Sequence, residues 1–322
     1  GRRQRCKGDR PGPVTPVVNR ADLSGIDQVT EALARRRYIA DRALATAVFL
    51  AVSLEKPIFL EGEAGVGKTE LAKVLADILD AELIRLQCYE GLDTQTALYE
   101  WDYPRQMLEV RLQEARGVEK SGIGAGIFSE AFLLQRPLLR AIRAEGPVAP
   151  VLLIDEIDRS DEEFEAFLLE VLSDFQVTVP EIGTLQARRK PLVVLTSNRT
   201  RELHDALKRR CLYHWIDYPD AAKEAAIVRA RVPGIDAVFA DQLAHFMHRV
   251  RDEDLYKQPG IAETIDWAEA LLTLGATGLD AATVDATLGC ICKYKSDMDR
   301  LRAAGLGTLA EAAAQAQAIA AE

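Results

Sequence analysis

At residues 62–69 the chain has the sequence Gly62-Glu63-Ala64-Gly65-Val66-Gly67-Lys68-Thr69, which fits the pattern G-x-x-x-x-G-K-[ST]. A short apolar run, Pro57 to Leu60, precedes it, and apolar residues at helical spacing follow from Leu71 to Leu79. Glycines let such a loop curl so that its N–H groups face phosphate oxygens, and the following helix adds its positive end. The sequence therefore predicts a strand, a phosphate-binding loop and a helix in succession.

Lys68 and Thr69 are the chemically active residues of this loop. In loops of this pattern the lysine ammonium reaches the β- and γ-phosphates of a nucleotide, and the hydroxyl of the next residue holds Mg²⁺. We therefore expect ATP and Mg²⁺ as ligands, with all eight loop residues at the nucleotide and Thr69 at the metal ion.

A second chemical motif is the apolar run Val151 to Ile154, which ends in Asp155 and Glu156. Asp155 suits the outer coordination sphere of Mg²⁺, and Glu156 is placed to polarise water for attack on the γ-phosphate. Solvated acids at a strand end are the alternative, which the nearby phosphate loop disfavours. Many small P-loop enzymes lack a base at the second position, so Glu156 favours hydrolysis of ATP.

Two amides are predicted to lie at the tips of neighbouring strands. Asn198 follows the strand-like run Val193 to Ser197, which has a polar tip, and it either orients the attacking water or is an isolated turn residue. Gln87 ends the strand-like run Leu83 to Gln87, and it either contacts Glu156 and gates it or is a simple strand-end amide. Both alternatives stay open at this point.

The order of elements predicts an α/β domain followed by a helical one. Strand-like runs alternate with helical patterns over residues 20–217, which indicates a parallel sheet flanked by helices. Within this α/β region, residues 176–191 favour a β-hairpin with residues 181–184 between its strands. The pattern Ser160-x-x-Glu163 is typical of a capping box at the start of a helix. Residues 218–322 are rich in Ala and Leu at helical spacing and predict a lid-like, all-helical domain.

Residues 1–19 are basic and contain three prolines, which is typical of a flexible solvated tail, with an anionic docking site as the alternative. The net charge of −10 argues against a broad nucleic-acid surface, although it leaves room for a local basic channel. The apolar stretch Ala43 to Leu54 is too short to span a bilayer, so we expect no membrane span and a cytoplasmic location.

The five cysteines are scattered and odd in number, which favours reduced thiols over a disulfide framework. Cys290 and Cys292 could be combined with His245 and His248 as a metal cluster. Their spacing matches no standard zinc pattern, so ordinary helix packing is the preferred interpretation.

The phosphate loop, the acidic strand end, Asn198 and Arg210 occur in an order that resembles the AAA+ superfamily across residues 20–322. The resemblance implies a P-loop NTPase sheet with a C-terminal helical lid. It also implies that the helix end at 206–211 supplies an arginine finger to the ATP of a neighbouring subunit. Arg210 is favoured over Arg209 for this role, and stabilisation of the helix end by a cation is the alternative.

Finer resemblances concern inserted segments. The segment from Lys68 to Asp155 is longer than a minimal AAA+ core requires, and the extra residues at about 92–126 are similar to the insert within the second helix of the MoxR branch. The hairpin 176–191 resembles that branch's element before the first sensor. The sequence segments 86–91, 98–101 and 260–267 resemble those of the ATPases that mature molybdenum-containing carbon monoxide dehydrogenase. This implies a chaperone that forms a ring, usually a homo-hexamer, and works with a von Willebrand A-domain protein on a metalloenzyme client.

One departure concerns the second-sensor arginine that the lid helix of many AAA+ proteins carries. Residues 260–267 contain no arginine, and Arg249, Arg251 or Lys257 are the available substitutes. Three other functions stay as alternatives besides a MoxR-type activator of another enzyme complex. They are a nucleic-acid machine, which the acidic balance disfavours, a small-molecule P-loop kinase and a non-catalytic scaffold.

Overall fold

The computed structural model describes residues 20–117 and 126–320. The predicted basic tail, 1–19, lies outside the described residues, as do residues 118–125 of the predicted insert. Within the described ranges, no helix is both long enough and apolar enough to cross a lipid bilayer.

The chain alternates strands and helices up to residue 216 and continues with helices. The strands are β1 Ile58–Gly62, β2 Leu83–Gln87, β3 Tyr99–Trp101, β4 Leu133–Gln135, β5 Val151–Asp155, β6 Gln176–Val179, β7 Gly183–Gln186, β8 Leu192–Ser197 and β9 Leu212–Ile216. The helices up to β9 are α1 Ile26–Arg35, α2 Arg42–Leu54, α3 Lys68–Leu79, α4 Thr94–Leu98, α5 Tyr103–Ala115, α6 Pro137–Ile142, α7 Glu162–Asp174 and α8 Asp205–Lys208. Those after β9 are α9 Ala221–Arg231, α10 Ala237–Asp252, α11 Ile261–Thr273, α12 Ala281–Ile291, α13 Lys295–Ala304 and α14 Leu306–Ala320.

Five strands form one parallel sheet in the order β2-β5-β8-β1-β9. Successive side chains of a strand point to opposite faces, so a sheet covered on both sides needs apolar residues at every position. In β1, Phe59 enters the core that contains α6 and α7, whereas Ile58 and Leu60 enter the core that contains α1, α2 and α3. The predicted α/β fold with helices on both faces is confirmed.

The parallel arrangement decides where the polar residues meet. All five strands place their carboxyl ends at the same edge of the sheet, which is where open α/β sheets bind ligands. The loop after β1, the acids at the end of β5 and Asn198 after β8 therefore converge, as the sequence predicted.

Two small antiparallel pairs lie outside the main sheet. In the predicted insert, β3 pairs with β4, and α5 lies between them in sequence. The predicted hairpin is present as β6 and β7, but Gly183 and Thr184 already pair within β7. The turn is therefore shorter than the predicted 181–184 segment.

The predicted capping box at the start of α7 is wrong by one residue. Asp161 is the N-cap, and its Oδ1 accepts a hydrogen bond of 2.8 Å from the Phe164 N–H. Ser160 instead donates its hydroxyl to the Ile157 carbonyl at 2.8 Å. Aspartate is at least as good an N-cap as serine, and its side chain was one position closer to the observed start of the helix.

Between residues 221 and 320 the described elements are all helices, as predicted. Trp267 of α11 is fully buried at the centre of their core, and its Nε1 donates to Thr287 Oγ1 at 2.8 Å. A buried ion pair joins α9 and α10, because the Arg251 guanidinium donates to both carboxylate oxygens of Glu224 at 2.6 and 2.7 Å. This core gives the helical region its own hydrophobic centre beside the sheet.

Candidate nucleotide site

A cavity of about 360 Å³ lies at the carboxyl edge of the sheet. Its walls come from five parts of the chain: the phosphate loop, the ends of β5 and β8, the end of β9 with the residues that follow it, the segment before α2, and helices α9 and α11. The cavity is thus closed on one side by the sheet and on the other by the helical region. Its volume lies within the range of small-molecule sites.

The phosphate loop has the local structure that its glycines predict. Gly65 and Gly67 have φ values of +78° and +96°, which residues with a Cβ rarely adopt. A Cβ at Gly62 would lie 2.2 Å from the Ile216 carbonyl oxygen, so the loop can pass β9 only as glycine. Helix α3 begins at Lys68 and directs its N-terminus at the loop, which favours an anion there.

Lys68 is held inside this loop. Its side chain is 6% exposed, and its Nζ donates to the carbonyl oxygens of Gly62 at 2.8 Å and Glu63 at 2.6 Å. Burial lowers the pKa of Lys68 to about 8, although nearby carboxylates, led by Asp158, act in the opposite direction. Phosphate oxygens can replace these carbonyls as acceptors, so the loop fits a nucleotide phosphate chain.

The predicted metal residues lie together. Thr69 Oγ1 donates to Asp155 Oδ1 at 2.9 Å, and Thr196 Oγ1 donates to the same oxygen at 2.6 Å. A hydroxyl beside a carboxylate is an oxygen donor set that suits Mg²⁺, which usually takes one or two protein ligands and completes its shell with phosphates and water. Over the described residues, no group of three or more His, Cys, Asp or Glu side chains is placed to hold a metal ion.

Glu156 has an unusual backbone conformation. Its φ and ψ are 55° and 51°, a left-handed conformation that costs a non-glycine residue roughly 1–2 kcal/mol. Its N–H donates to Thr196 Oγ1 at 2.9 Å, which fixes it beside Asp155. Strain of this kind is concentrated at functional sites.

The Glu156 carboxylate is surrounded by donors. Gln87 Nε2 donates to Oε2 at 3.0 Å, Arg159 lies 3.2 Å from the same oxygen, and Asn198 Nδ2 lies 3.5 Å from Oε1. The predicted contact between Gln87 and Glu156 is therefore present. Asn198 and Glu156 both line the cavity, so one water molecule could contact both.

Asp158 is a buried residue of the site that the sequence did not single out. Its Oδ2 accepts hydrogen bonds from the N–H groups of Asn198 at 3.2 Å and Thr200 at 2.8 Å, and from the Thr200 hydroxyl at 2.7 Å. The carboxylate therefore holds the loop that presents Asn198. The signal in the sequence that could have identified Asp158 was a third acidic residue two positions after Glu156.

A group of apolar residues in the cavity wall was also not predicted. Tyr38 donates its hydroxyl to the Gly67 carbonyl at 3.4 Å, and burial raises the pKa of Tyr38. Ile39 lies beside it, and Ile227, Ile261 and Ile265 of α9 and α11 line the cavity as well. Apolar side chains in a cavity that also contains a phosphate loop fit a nucleobase.

Two cations of α9 also face the cavity. Lys223 pairs with Asp41 and Arg231 pairs with Glu70, each at 2.8 Å, and all four residues line it. The three candidates for a second sensor lie elsewhere: Arg249, Arg251 and Lys257 are not among the lining residues. Arg251 is committed to the buried ion pair with Glu224, which excludes a direct role at the nucleotide in this conformation.

The predicted finger lies outside the cavity of its own chain. Arg210 is exposed after α8, and its guanidinium donates to Ser173 Oγ at 2.9 Å and to the Ala206 carbonyl at 3.2 Å. The contact with Ala206 is the helix-end interaction that the alternative interpretation required. The exposed position also leaves Arg210 accessible to a neighbouring subunit, so the finger role stays a prediction.

The family described as "ATPase family associated with various cellular activities (AAA)" matches residues 58–216. This segment runs from the first residue of β1 to the last residue of β9. This segment is thus similar to AAA ATPase domains and has the AAA+ fold, and a helical region follows it. Similarity to this family indicates nucleotide binding.

Several known proteins are similar to this chain. An uncharacterized protein of Staphylococcus aureus (strain bovine RF122 / ET3-1) is 28% identical over 69% of this chain and 77% of its own length. An uncharacterized protein of Staphylococcus epidermidis (strain ATCC 12228 / FDA PCI 1200) is 26% identical over 72% and 80%. The RuvB Holliday junction branch migration motor of Thermotoga maritima is 18% identical with a TM-score of 0.42, over 83% of this chain and 71% of that one.

Proposed function

We propose that this protein binds ATP with Mg²⁺ in the cavity at the sheet edge and hydrolyses it to remodel a client protein. The observation that carries the proposal is the convergence of the phosphate loop, Asp155, Glu156 and Asn198 on one cavity. The similarity of residues 58–216 to AAA ATPase domains supports the same chemistry. A scaffold without catalysis would have no need of this set of side chains.

Each residue has a distinct task in the proposed reaction. The loop N–H groups and Lys68 bind the β- and γ-phosphates, and Thr69 with Asp155 holds Mg²⁺, which would neutralise phosphate charge. Glu156 accepts the proton of the attacking water on its carboxylate, and Asn198 orients that water through its amide. The apolar side chains of the cavity wall, Ile227 and Ile261 among them, hold the nucleobase.

Subunit assembly completes the proposed site. Arg210 is exposed and does not line its own cavity, so it can act only on the nucleotide of a neighbour. This arrangement supports a ring, for which we propose a homo-hexamer. Arginine fingers supplied in trans stabilise charge in the transition state and contribute roughly 10³–10⁵ in rate.

The proposed client is a metalloenzyme that is matured with the help of a von Willebrand A-domain protein, as in the MoxR-type group that the sequence resembles. The predicted insert supports a client contact, because Tyr103, Met107 and Leu108 of α5 are each at least 58% exposed. Exposed apolar side chains of this size are typical of interaction surfaces. The β6–β7 hairpin is a second element that can move against a client.

The proposal is tested by capturing partners with an ATP-bound trap. The Glu156→Gln variant is purified with ATP from its native host, and the proteins that co-purify are identified by mass spectrometry, with Lys68→Ala as the control that cannot hold ATP. Recovery of a von Willebrand A-domain protein with a molybdenum hydroxylase would support the proposal. A different metalloenzyme would keep the mechanism and replace the client, whereas a DNA-repair or replication assembly would contradict the maturation role.

Lys68→Ala is expected to weaken ATP binding about 100-fold. Hydrogen bonds to charged groups contribute roughly 1.5–3 kcal/mol, and about 1.4 kcal/mol corresponds to a tenfold change in affinity. Lys56→Ala is the control, because Lys56 is exposed and lies at the opposite end of β1. Affinity is measured by titration with a fluorescent ATP analogue, and equal affinity in both variants would remove Lys68 from the site.

The affinity for ATP is expected to fall about fivefold between pH 8 and pH 9. The pKa of Lys68 is lowered to about 8 by burial, so the phosphate-binding ammonium is lost from the free protein as the pH rises through that value. Conversely, the free energy of unfolding of the nucleotide-free protein is expected to rise as the pH rises from 8 to 10.5. In this range Lys68 binds more protons in the unfolded state than in the folded state. Lys68→Arg keeps its charge, and a pH-dependent affinity in that variant would assign the effect to another group.

A further inference from the structure

Arg85 occupies a position that neither the loop motif nor the acidic motif explains. It lies in β2, the edge strand of the sheet next to β5, and its side chain is 51% exposed. Its guanidinium reaches the end of β5, where Nε and Nη2 donate to Asp155 Oδ2 at 3.0 and 2.6 Å. A permanent cation thus contacts the carboxylate that is proposed to help hold Mg²⁺.

This contact leaves Asp155 with no spare acceptor capacity. An ionised carboxylate has about four lone-pair sites. Thr69 and Thr196 donate to Oδ1, and Arg85 donates twice to Oδ2. A water molecule of a metal shell must therefore displace one of these donors, and the half-exposed Arg85 is the one least held by its surroundings.

The same guanidinium also controls the amide of Gln87. Arg85 Nη2 donates to Gln87 Oε1, and because arginine is a donor only, the amide must direct Oε1 toward it. Gln87 Nε2 consequently points at Glu156 and donates to it at 3.0 Å. One arginine therefore links Asp155, the metal-side carboxylate, to Glu156, the proposed base.

We propose that Arg85 is a positioning residue that couples loading of Mg²⁺ with nucleotide to release of Glu156. In the arrangement described here it neutralises Asp155 and, through Gln87, restrains Glu156. A divalent cation near Thr69 repels the guanidinium and competes for Asp155. When Arg85 leaves Asp155 it also leaves Gln87, whose amide can then rotate away from the base.

The inference rests on the proposed function and is tested first by metal binding. Mn²⁺ serves as a probe visible by electron paramagnetic resonance, titrated into protein with saturating ADP. Arg85→Gln is expected to bind Mn²⁺ about tenfold more tightly than wild type, because a half-exposed cation has been removed from beside the site. Arg159→Gln is the matched control: it removes an equal charge that contacts Glu156 but neither Asp155 nor Gln87, and its affinity should stay within about twofold of wild type.

A second variant separates the charge of Arg85 from its forked geometry. Arg85→Lys keeps a cation for Asp155 but has a single ammonium that cannot fix the Gln87 amide as well. We expect an affinity for Mn²⁺ about threefold tighter than that of wild type, between wild type and Arg85→Gln, because loading then breaks one hydrogen bond fewer.

The outcomes are distinguishable. Unchanged Mn²⁺ affinity in Arg85→Gln, or an equal gain in Arg159→Gln, would overturn the coupling while leaving the proposed function intact. A wild-type protein that binds no Mn²⁺ with ADP would contradict the proposed function itself. If Arg85→Gln fails to fold, Arg85→Lys still decides the matter, since an affinity for Mn²⁺ equal to or weaker than that of wild type contradicts the link through Gln87.

Discussion

Glu156→Gln is expected to lower kcat for ATP hydrolysis by about 10²–10⁴-fold and to leave the affinity for ATP nearly unchanged. The amide has the same shape as the carboxylate and can still accept the hydrogen bond from Gln87, so the geometry at the end of β5 is kept. It cannot accept the proton of the attacking water. The loss therefore falls on the chemical step and spares binding, which depends on Lys68 and the loop.

The measurement is steady-state hydrolysis together with equilibrium binding of a fluorescent ATP analogue. Glu163→Gln is the control. Glu163 is an exposed acidic residue in the first turn of α7, a few residues after Glu156 in sequence, and it does not line the cavity. Equal hydrolysis by wild type and Glu156→Gln would remove Glu156 from the mechanism. A parallel loss of ATP affinity would instead assign it to nucleotide binding.

The sequence predicted that the candidate site residues lie together, because their convergence follows from topology. A phosphate loop after one strand, two acids after another and an amide after a third must meet when the strands are parallel and adjacent. Only local patterns were needed for this: a strand-like run that leads into Gly62, into Asp155 or into Asn198. Pairing of β5 with β8 and of β8 with β1 then brings these strand ends side by side.

Other parts of the site depend on contacts between distant positions and carry no local pattern. Arg85 meets Asp155 only because β2 pairs with β5 in a register that places Gln87 opposite Asp155. Arg251 was a candidate sensor by position, yet its guanidinium is buried against Glu224 of another helix. Likewise, Arg231 of α9 lines the cavity and pairs with Glu70 of α3, a contact that its own neighbours in sequence do not encode.

The largest expected loss comes from Arg210→Ala, for which we expect kcat of the assembled protein to fall by about 10³-fold or more. Arg210 is exposed and absent from its own cavity, so the loss should concern the neighbouring subunit's nucleotide. The affinity of an isolated subunit for ATP should not change. Arg209→Ala serves as the neighbour control and should retain hydrolysis within about threefold of wild type, as expected of an ordinary surface residue.

The structural role of Arg210 needs a separate control because its guanidinium also contacts the end of α8 and Ser173. Ser173→Ala removes the 2.9 Å hydrogen bond and leaves the cation in place. If Arg210 only stabilised the helix end, both variants would lower the unfolding temperature and neither would act specifically on kcat. If Arg210 is the finger, Ser173→Ala hydrolyses ATP at close to the wild-type rate while Arg210→Ala does not.

Mixing two inactive variants decides whether Arg210 acts between subunits. A Lys68→Ala subunit holds no ATP but presents an intact Arg210, and an Arg210→Ala subunit has an intact cavity but no finger. Hydrolysis should therefore reappear when the two are mixed and assembled, since each interface of the right order contains one complete site. Recovery that depends on mixing cannot arise from a residue acting within its own chain. No recovery in mixtures shown to co-assemble would place the loss in Arg210→Ala inside the subunit and remove the trans finger from the mechanism.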